Sequence, residues 1–79
     1  MITGIQIRAA RSALRWTIED LAGRGEITAR IVKRMESYDL VPKSSSQTLK
    51  NIRKTFEVAG IEFIGTPEDT LGIRIHSAL

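Results

Sequence analysis

The chain has 79 residues, of which 42% are hydrophobic and 27% are charged, with a net charge of +3 and no cysteine. This length supports one small domain and excludes a second hydrophobic core, and the lack of cysteine excludes a disulfide framework. No apolar run approaches the roughly 20 residues that span a bilayer, and the N-terminus lacks the apolar centre of a signal peptide. We therefore predict a cytoplasmic protein with no membrane partner.

The charge is unevenly distributed along the chain. Residues 1–54 carry 11 Lys or Arg against 5 Asp or Glu, which gives a net charge of +6. Residues 55–79 carry Arg74 alone against four acidic residues, which gives −3. This asymmetry predicts a polyanionic partner for the N-terminal part and another role for the tail. A solvated charged surface is the alternative explanation.

Two helices are predicted at the start of the chain. The first, over residues 3–14, has apolar residues at helical spacing: Ile7, Ala10 and Leu14. The second is short, about residues 18–24, and follows the capping-box sequence TIED at residues 17–20. Trp16, between the two helices, is predicted to be a core residue. After the second helix, Gly23 and Gly25 offer left-handed or extended conformations for a tight turn.

A third helix is predicted over residues 29–37, with Thr28 as its N-cap. Val32 and Met35 would face inward. The residues at spacings i, i+1, i+4, i+5 and i+8 form one outward stripe: Ala29, Arg30, Lys33, Arg34 and Ser37. Three of these five side chains are basic. The third helix therefore presents a positively charged face to the surroundings.

The C-terminal part of the chain changes from helical to alternating periodicity. A fourth helix begins with the capping-box sequence Ser44-x-x-Gln47 and continues to about Ala59, where Gly60 ends it. Beyond it, apolar residues alternate in two short runs: Ile61 and Phe63, then Ile73 and Ile75. This pattern predicts a β-hairpin, although the sequence TPED at residues 66–69 could also begin a helical turn.

The second and third helices, joined by a short glycine-containing turn, describe a helix-turn-helix. In such a motif the first helix crosses the phosphate backbone and the second enters the major groove of DNA. Arginine suits the second helix, because its guanidinium fork matches guanine O6 and N7. The alternative is that the basic stripe is the solvated face of a helical bundle.

The stretch IRAARSALRWTIEDLAGRGEITARIVKRMES resembles the DNA-binding domain of Cro, the lambda repressor and the XRE-type bacterial regulators. The similarity covers about residues 3–59. The matched features are Arg8 with Arg11, the opening TIEDLA, the step Ile27-Thr28, and the ending Met35-Glu36. The resemblance implies a mainly α protein: a four-helix lambda-repressor-like helix-turn-helix domain at residues 1–60, followed by a C-terminal β-hairpin tail at residues 61–79.

The resemblance also implies roles for individual residues. Base edges of double-stranded DNA would be contacted by Ala29, Arg30 and Arg34. Arg11 and Glu36 would form an inward, structural ion pair between the first and third helices. The DNA backbone would be contacted by Thr17, Thr28 and Lys33. Lys43 and Ser44 are predicted to contact it for a separate reason, because backbone amides at the start of the fourth helix can receive a phosphate; an ordinary capped helix start is the alternative.

Two positions depart from the family pattern. Ile18 stands where the family usually has a glutamine that contacts DNA, so one expected contact is missing. The glycine of the turn normally lies one residue after Gly25, where this chain has Glu26. An acidic residue therefore occupies a position that often has a positive φ.

The hairpin raises the question of the oligomeric state. Two strands are marginally stable alone, so their apolar residues must pack on the helices or on a second subunit. Helix-turn-helix proteins usually read two half-sites about 34–36 Å apart as dimers. We therefore expect a homodimer, with four dimer candidates: Ile61, Phe63, Ile73 and Ile75. Closure of the chain's own core by the hairpin is the alternative.

An enzyme is not expected, because the chain has one histidine, no cysteine, no phosphate-cradling glycine loop and no nucleophile beside a plausible base. No metal, cofactor or small-molecule effector is expected either. The sequence predicts a DNA-binding transcriptional regulator, a repressor of bacterial or phage type. The alternative is a protein-interaction module, antitoxin-like or adaptor, that keeps the helix-turn-helix fold without reading DNA sequence.

Overall fold

The computed structural model describes residues 2–76, so Met1 and residues 77–79 of the predicted tail lie outside the described residues. The described chain is mainly helical, with a two-stranded antiparallel sheet at its C-terminal end. Its elements are α1 (Gly4–Ala13), α2 (Ile18–Gly25), α3 (Ala29–Glu36), α4 (Ser46–Val58), β1 (Ile61–Ile64) and β2 (Gly72–Ile75). The predicted layout of four helices followed by a hairpin is confirmed.

A hydroxyl side chain caps the N-terminus of every helix. Thr17 accepts a hydrogen bond from Asp20 N at 3.0 Å, and the Asp20 carboxylate accepts one from Thr17 N at 2.8 Å. Thr3 and Gln6 form an equivalent, buried box at the start of α1. These reciprocal bonds satisfy backbone N–H groups that a helix start leaves without partners. The helix starts therefore follow from local chemistry.

The cap of α4 differs from the one that the sequence predicted. Ser45, not Ser44, is the N-cap, and its hydroxyl accepts a hydrogen bond from Thr48 N at 3.1 Å. Gln47 instead donates from its side chain to the Asn51 side chain at 3.0 Å. Three adjacent serines each satisfy the preference for a cap, so the choice among them depends on how the preceding loop packs.

The core forms where the apolar stripes of the four helices meet. The fully buried apolar side chains of the helices include Ile7, Leu21, Val32, Met35, Ile52 and Phe56. Trp16 is half-buried and packs against this core, with its ring stacked on Phe56 at a centroid distance of 5.5 Å. Phe56 also meets Phe63 of β1 edge-on at 5.7 Å. Aromatic contacts thus connect the linker after α1, the helix α4 and the hairpin.

The hairpin closes this core. β1 pairs with β2 in a register that places Ile61 opposite Ile75 and Phe63 opposite Ile73. The Gln6 side-chain amide donates hydrogen bonds to Ile64 O and Gly72 O, both at 2.9 Å, and so ties the sheet to α1. The residues TPED form a turn, in which Asp69 N donates to Thr66 O, and not a helical turn.

Two of the four dimer candidates have little surface left for a partner. Ile61 and Phe63 are buried in the chain's own core, and Ile73 packs against it. Ile61 and Phe63 therefore offer no surface to a second subunit in this structure, because the chain's own core covers them. Ile73 is only partly buried, so its place at an interface stays a prediction. Ile75 alone is exposed, at 52% of its surface.

The helices are short and amphipathic. None of those in residues 2–76 has the length and apolar character needed to cross a membrane.

Candidate nucleic-acid interface

Three residues, 26–28, connect α2 to α3. Glu26 adopts the left-handed conformation, with φ 56° and ψ 42°, and its N–H donates to Ala22 O. Ile27 N donates to the same carbonyl at 3.0 Å. A positive φ at a non-glycine residue is uncommon, and a left-handed residue with a Cβ atom costs about 1–2 kcal/mol. The chain therefore makes this corner with some strain at Glu26.

The glycines near the corner have a different role from the predicted one. Gly23 and Gly25 both belong to α2, and neither has a positive φ. Gly25 is buried, and a Cβ atom there would lie 2.7 Å from Ile52 Cδ1 of α4. A side chain at residue 25 would therefore require the buried Ile52 side chain to shift. Gly25 thus allows α2 and α4 to pack closely here, and it is not needed for the turn.

α3 begins at the end of this corner. Thr28 caps the helix by accepting a hydrogen bond from Ile31 N at 3.2 Å. Val32 and Met35 are completely buried, so the contact with the core fixes how α3 is rotated about its axis. The opposite face must then point into solvent.

The outward face of α3 carries three exposed cations: Arg30, Lys33 and Arg34. Within residues 2–76, no carboxylate lies within ion-pair distance of any of them. Ala29, the remaining member of the predicted base-reading set, is half-buried and packs partly against the core. We name Arg30, Lys33 and Arg34 the basic face of α3.

Arg11 and Glu36 form the ion pair that the resemblance implied. Arg11 Nε lies 2.7 Å from Glu36 Oε2, and Arg11 Nη2 lies 2.9 Å from Glu36 Oε1, a two-pronged contact between α1 and α3. The Glu36 side chain is only 7% exposed, and Arg11 Nη1 also donates to Trp16 O at 3.0 Å. The hydrogen bond with Glu36 raises the pKa of Arg11 despite its partial burial.

Arg8 is also used within the fold. Its guanidinium donates to Glu36 O at the end of α3 and to Asp39 Oδ1 at 3.3 Å. Arg8 and Arg11 thus both hold the C-terminal end of α3 against α1. A cation near a helix C-terminus is favourable, because the last carbonyl groups carry partial negative charge.

The predicted backbone contacts fall into two groups. Thr17 and Thr28 are exposed, and each hydroxyl accepts a backbone hydrogen bond. The Thr17 side chain also interacts with the Asp20 carboxylate, whereas Thr28 keeps its O–H available to donate. Lys43 is exposed as well. Ser44 does not fit its predicted role, because its Oγ is buried, with no hydrogen-bond partner in the described chain. A phosphate cannot reach that oxygen while the loop keeps this conformation.

Ile18, at the start of α2, is half-buried and packs against the core. The side chain at this position thus contributes to packing.

The sequence did not indicate a groove that lies beside Trp16. It has a volume of about 610 Å³ and runs between the C-terminal end of α2 and the second half of α4. Arg24 and Lys54 are among its lining residues. Within the sequence, its only sign is an aromatic residue eight positions before an arginine. The other wall of the groove comes from residues some 30 positions later, so no local pattern reveals it.

A metal site is not formed in the described part of the chain, where no three His, Asp or Glu side chains converge. Comparison of the chain with protein-family models, with curated proteins and with solved structures finds no match. A function must therefore be inferred from the arrangement of the side chains.

Proposed function

We propose that this chain is a sequence-specific DNA-binding transcriptional regulator that places α3 in the major groove of double-stranded DNA. The observation that carries the proposal is the basic face of α3, three exposed cations without carboxylate partners in residues 2–76. The resemblance to the lambda-repressor-like, XRE-type domains supports the same assignment. Unpaired cations on one face of a helix are free to replace the counterions of DNA phosphates.

The dimensions of α3 suit this role. A helix with side chains is about 10–12 Å wide, and the major groove of B-DNA is about 12 Å wide. Eight residues give α3 a length of about 12 Å, so it would touch only a few base pairs. The buried contacts of Val32 and Met35 would hold the helix at a fixed rotation while Arg30 and Arg34 point outward.

We assign different roles to the cations of the basic face. Arg30 and Arg34 lie one turn apart and would read base edges, since an arginine fork can bind guanine O6 and N7 together. Lys33, with Thr17, Thr28 and Lys43, would contact phosphates, which position the protein without reading sequence.

Two further features belong to the proposal. A protein that binds a short half-site gains affinity and recognises a longer DNA sequence when it acts as a homodimer. Ile75 on β2 is exposed and remains available for such an interface. A dimer on its site would exclude other proteins from the same groove, so we propose repression as the outcome. A regulator of this type would act in the cytoplasm, where bacterial or phage DNA is found.

The salt dependence of DNA binding tests the proposal. Affinity for duplex DNA, measured by fluorescence anisotropy at several salt concentrations, should fall linearly on a log–log plot. Replacing one phosphate-binding lysine, in Lys33→Ala, should reduce the slope by about 1. Lys50→Ala on α4, outside the basic face, is the matched control and should leave the slope unchanged. An absence of duplex binding at low salt would contradict the proposal.

The second candidate function is a protein-interaction module without sequence-specific DNA binding. Ile18 favours it, because its packing removes a DNA contact at the start of α2. The two functions differ in one measurable respect. An interaction module should bind DNA weakly and without sequence preference. Its DNA affinity should fall little on Arg34→Ala.

A further inference from the structure

The groove beside Trp16 is a second site, distinct from the basic face of α3. We propose that it docks an acidic peptide segment of a partner protein, in which a carboxylate side chain lies next to an apolar one. This inference goes beyond the proposed function and does not depend on DNA binding.

Trp16 lines the groove. Its ring is stacked on completely buried Phe56 with an interplanar angle of 18°, so the core holds it in place. The guanidinium carbon of Arg24 lies 4.5 Å from the centroid of the same ring. This distance is that of a cation–π contact, which restricts the arginine without using its N–H donors.

Arg24 is held in position but keeps its donors. Within residues 2–76, no acceptor receives a hydrogen bond from its guanidinium, and no carboxylate forms an ion pair with it. Asp20, one turn earlier on α2, accepts a hydrogen bond from Thr17 N at 2.8 Å and attracts Arg24 electrostatically, but it forms no ion pair with Arg24 in residues 2–76. A restricted guanidinium with free donors is suited to a carboxylate, which it binds through two parallel hydrogen bonds.

The opposite wall of the groove adds further donors. Lys54 lines it from α4 and is exposed, also without an ion-pair partner in the described chain. Asn51 also lines the groove, and its Oδ1 accepts a hydrogen bond from the Gln47 side chain. The Asn51 side-chain N–H groups are therefore available to donate to a ligand. Glu26 is the one anion among the lining residues of this groove. Two cations, Arg24 and Lys54, thus line the groove beside one anion, so the groove favours an anionic ligand.

The rest of the groove is apolar and open. Val58 lines it and is 81% exposed, although its side chain is aliphatic. Arg24, Glu26 and Lys54 at the rim are exposed too. Sites for small molecules usually bury 70–90% of the ligand, which an open groove does not achieve. A peptide can extend past the rim and place an apolar side chain on Val58, so a peptide fits better.

The groove and the basic face of α3 share no residue. Each can therefore be removed by substitution without altering the other, and the two proposals can fail separately.

The test is selection of random 12-residue peptides, displayed on phage, against the intact chain. Enriched peptides should combine Asp or Glu with Leu, Ile or Phe. Synthetic versions without tryptophan should change the fluorescence of Trp16, the chain's single tryptophan, and give the dissociation constant directly. Arg24→Gln/Lys54→Gln should weaken this binding by about tenfold or more, because two charge-assisted contacts are lost.

A matched variant controls for net charge. Arg30→Gln/Lys33→Gln removes one arginine and one lysine from α3 and should leave peptide affinity unchanged while it weakens DNA binding. Lys54→Gln alone keeps the Arg24–Trp16 contact and should still weaken peptide binding severalfold in a chain that melts at the same temperature. Together the variants separate a local site from a general effect of positive charge.

Five results would overturn the proposal. The first is no enrichment of peptides, and the second is enrichment of sequences without acidic residues. The third is equal weakening by the groove variant and the α3 variant. The fourth is equally tight competition by the small carboxylate benzoate, which would assign the groove to a small anion. The fifth is self-association that Arg24→Gln/Lys54→Gln abolishes without added peptide, which would assign the groove to a second copy of the chain.

Discussion

The two faces of α3 differ in how their charged side chains are paired. On the inner face, Glu36 is buried and held by Arg11, beside completely buried Met35. On the outer face, Arg30 and Arg34 are exposed and have no carboxylate partner in residues 2–76. The same helix thus separates charges that hold the fold from charges that remain available to a ligand.

This difference shows why a count of basic residues is a poor guide to function. Arg8 and Arg11 contribute to the positive charge of residues 1–54, yet both are occupied by groups at the end of α3. Their charge is largely neutralised within the fold. Inner-face substitutions should accordingly change stability, and outer-face substitutions should change DNA recognition.

The largest effect is expected at the inner ion pair. Arg11→Met keeps the aliphatic stem but leaves Glu36 buried without its partner, so the free energy of unfolding should fall by about 3 kcal/mol. This figure is at the low end for a buried pair, because the Arg11 side chain is 21% exposed. Urea unfolding followed by circular dichroism measures the change.

A second variant shows whether the loss comes from the unpaired carboxylate. Arg11→Met/Glu36→Leu removes both charges and should recover much of the lost stability, since the penalty of a lone buried charge disappears. A double variant at least as unstable as Arg11→Met would contradict this explanation. Neither variant should alter which DNA sequence is preferred.

At the outer face, Arg30→Ala should relax specificity by about 1–3 kcal/mol at one base pair per half-site. Stability should stay nearly unchanged, because the side chain is exposed. Competition binding with sites altered at single base pairs measures the preference. Lys33→Ala is the neighbouring control and should weaken binding to all DNA sequences about equally. An unchanged base preference in Arg30→Ala would refute the assignment of Arg30.

The corner between α2 and α3 should tolerate glycine better than its native residue. Glu26→Gly removes the strain of a left-handed residue with a Cβ atom and should stabilise the fold by about 0.5–1 kcal/mol, after the entropic cost of glycine. Glu19→Gly, in the right-handed first turn of α2, should instead destabilise it. Thermal melts compare the stability of the two variants. If both were destabilised equally, Glu26 would not be strained.

The smallest effect is expected at the cap of α2. Hydrogen bonds from the Thr17 backbone and side chain hold the pKa of Asp20 below its ordinary value of 3.8. Its contribution to stability is therefore present above the unfolded pKa and is lost as the pH falls through the lower folded pKa. Asp20→Asn should be slightly less stable at neutral pH and lose less stability from pH 5 to pH 3.

The control for the acid titration is Asp69→Asn. Asp69 is exposed in the hairpin turn, and its carboxylate has no hydrogen bond to other described residues. This variant removes one negative charge, as Asp20→Asn does, but breaks no cap. If Asp20→Asn lost more stability than the unchanged chain between pH 5 and pH 3, the role of the cap would be contradicted.

Helical periodicity predicted the order of the elements well, because caps and apolar stripes are local in sequence. Thr17, Thr28 and Gly60 end or begin helices through bonds within a few residues. Glu26 was also marked correctly, since the resemblance placed a positive φ there. The Arg11–Glu36 pair came from the resemblance as well, and no periodic pattern indicates it.

The failures share a physical cause, which is dependence on distant packing. Gly25 is explained by Ile52, 27 residues later, and not by its own φ. The burial of Ser44 depends on how its loop folds, and the burial of Phe63 on Phe56. The groove beside Trp16 joins α2 to α4, so no single window of sequence contains it.

We propose that the basic face of α3 reads DNA sequence. The most direct measurement is selection from random-sequence duplex DNA near physiological salt, with the unchanged chain beside Arg30→Ala/Arg34→Ala. We expect enrichment of a two-fold symmetric motif that disappears in the double variant while the variant still melts cooperatively. No motif with the folded unchanged chain, or the same motif with the double variant, would contradict the claim.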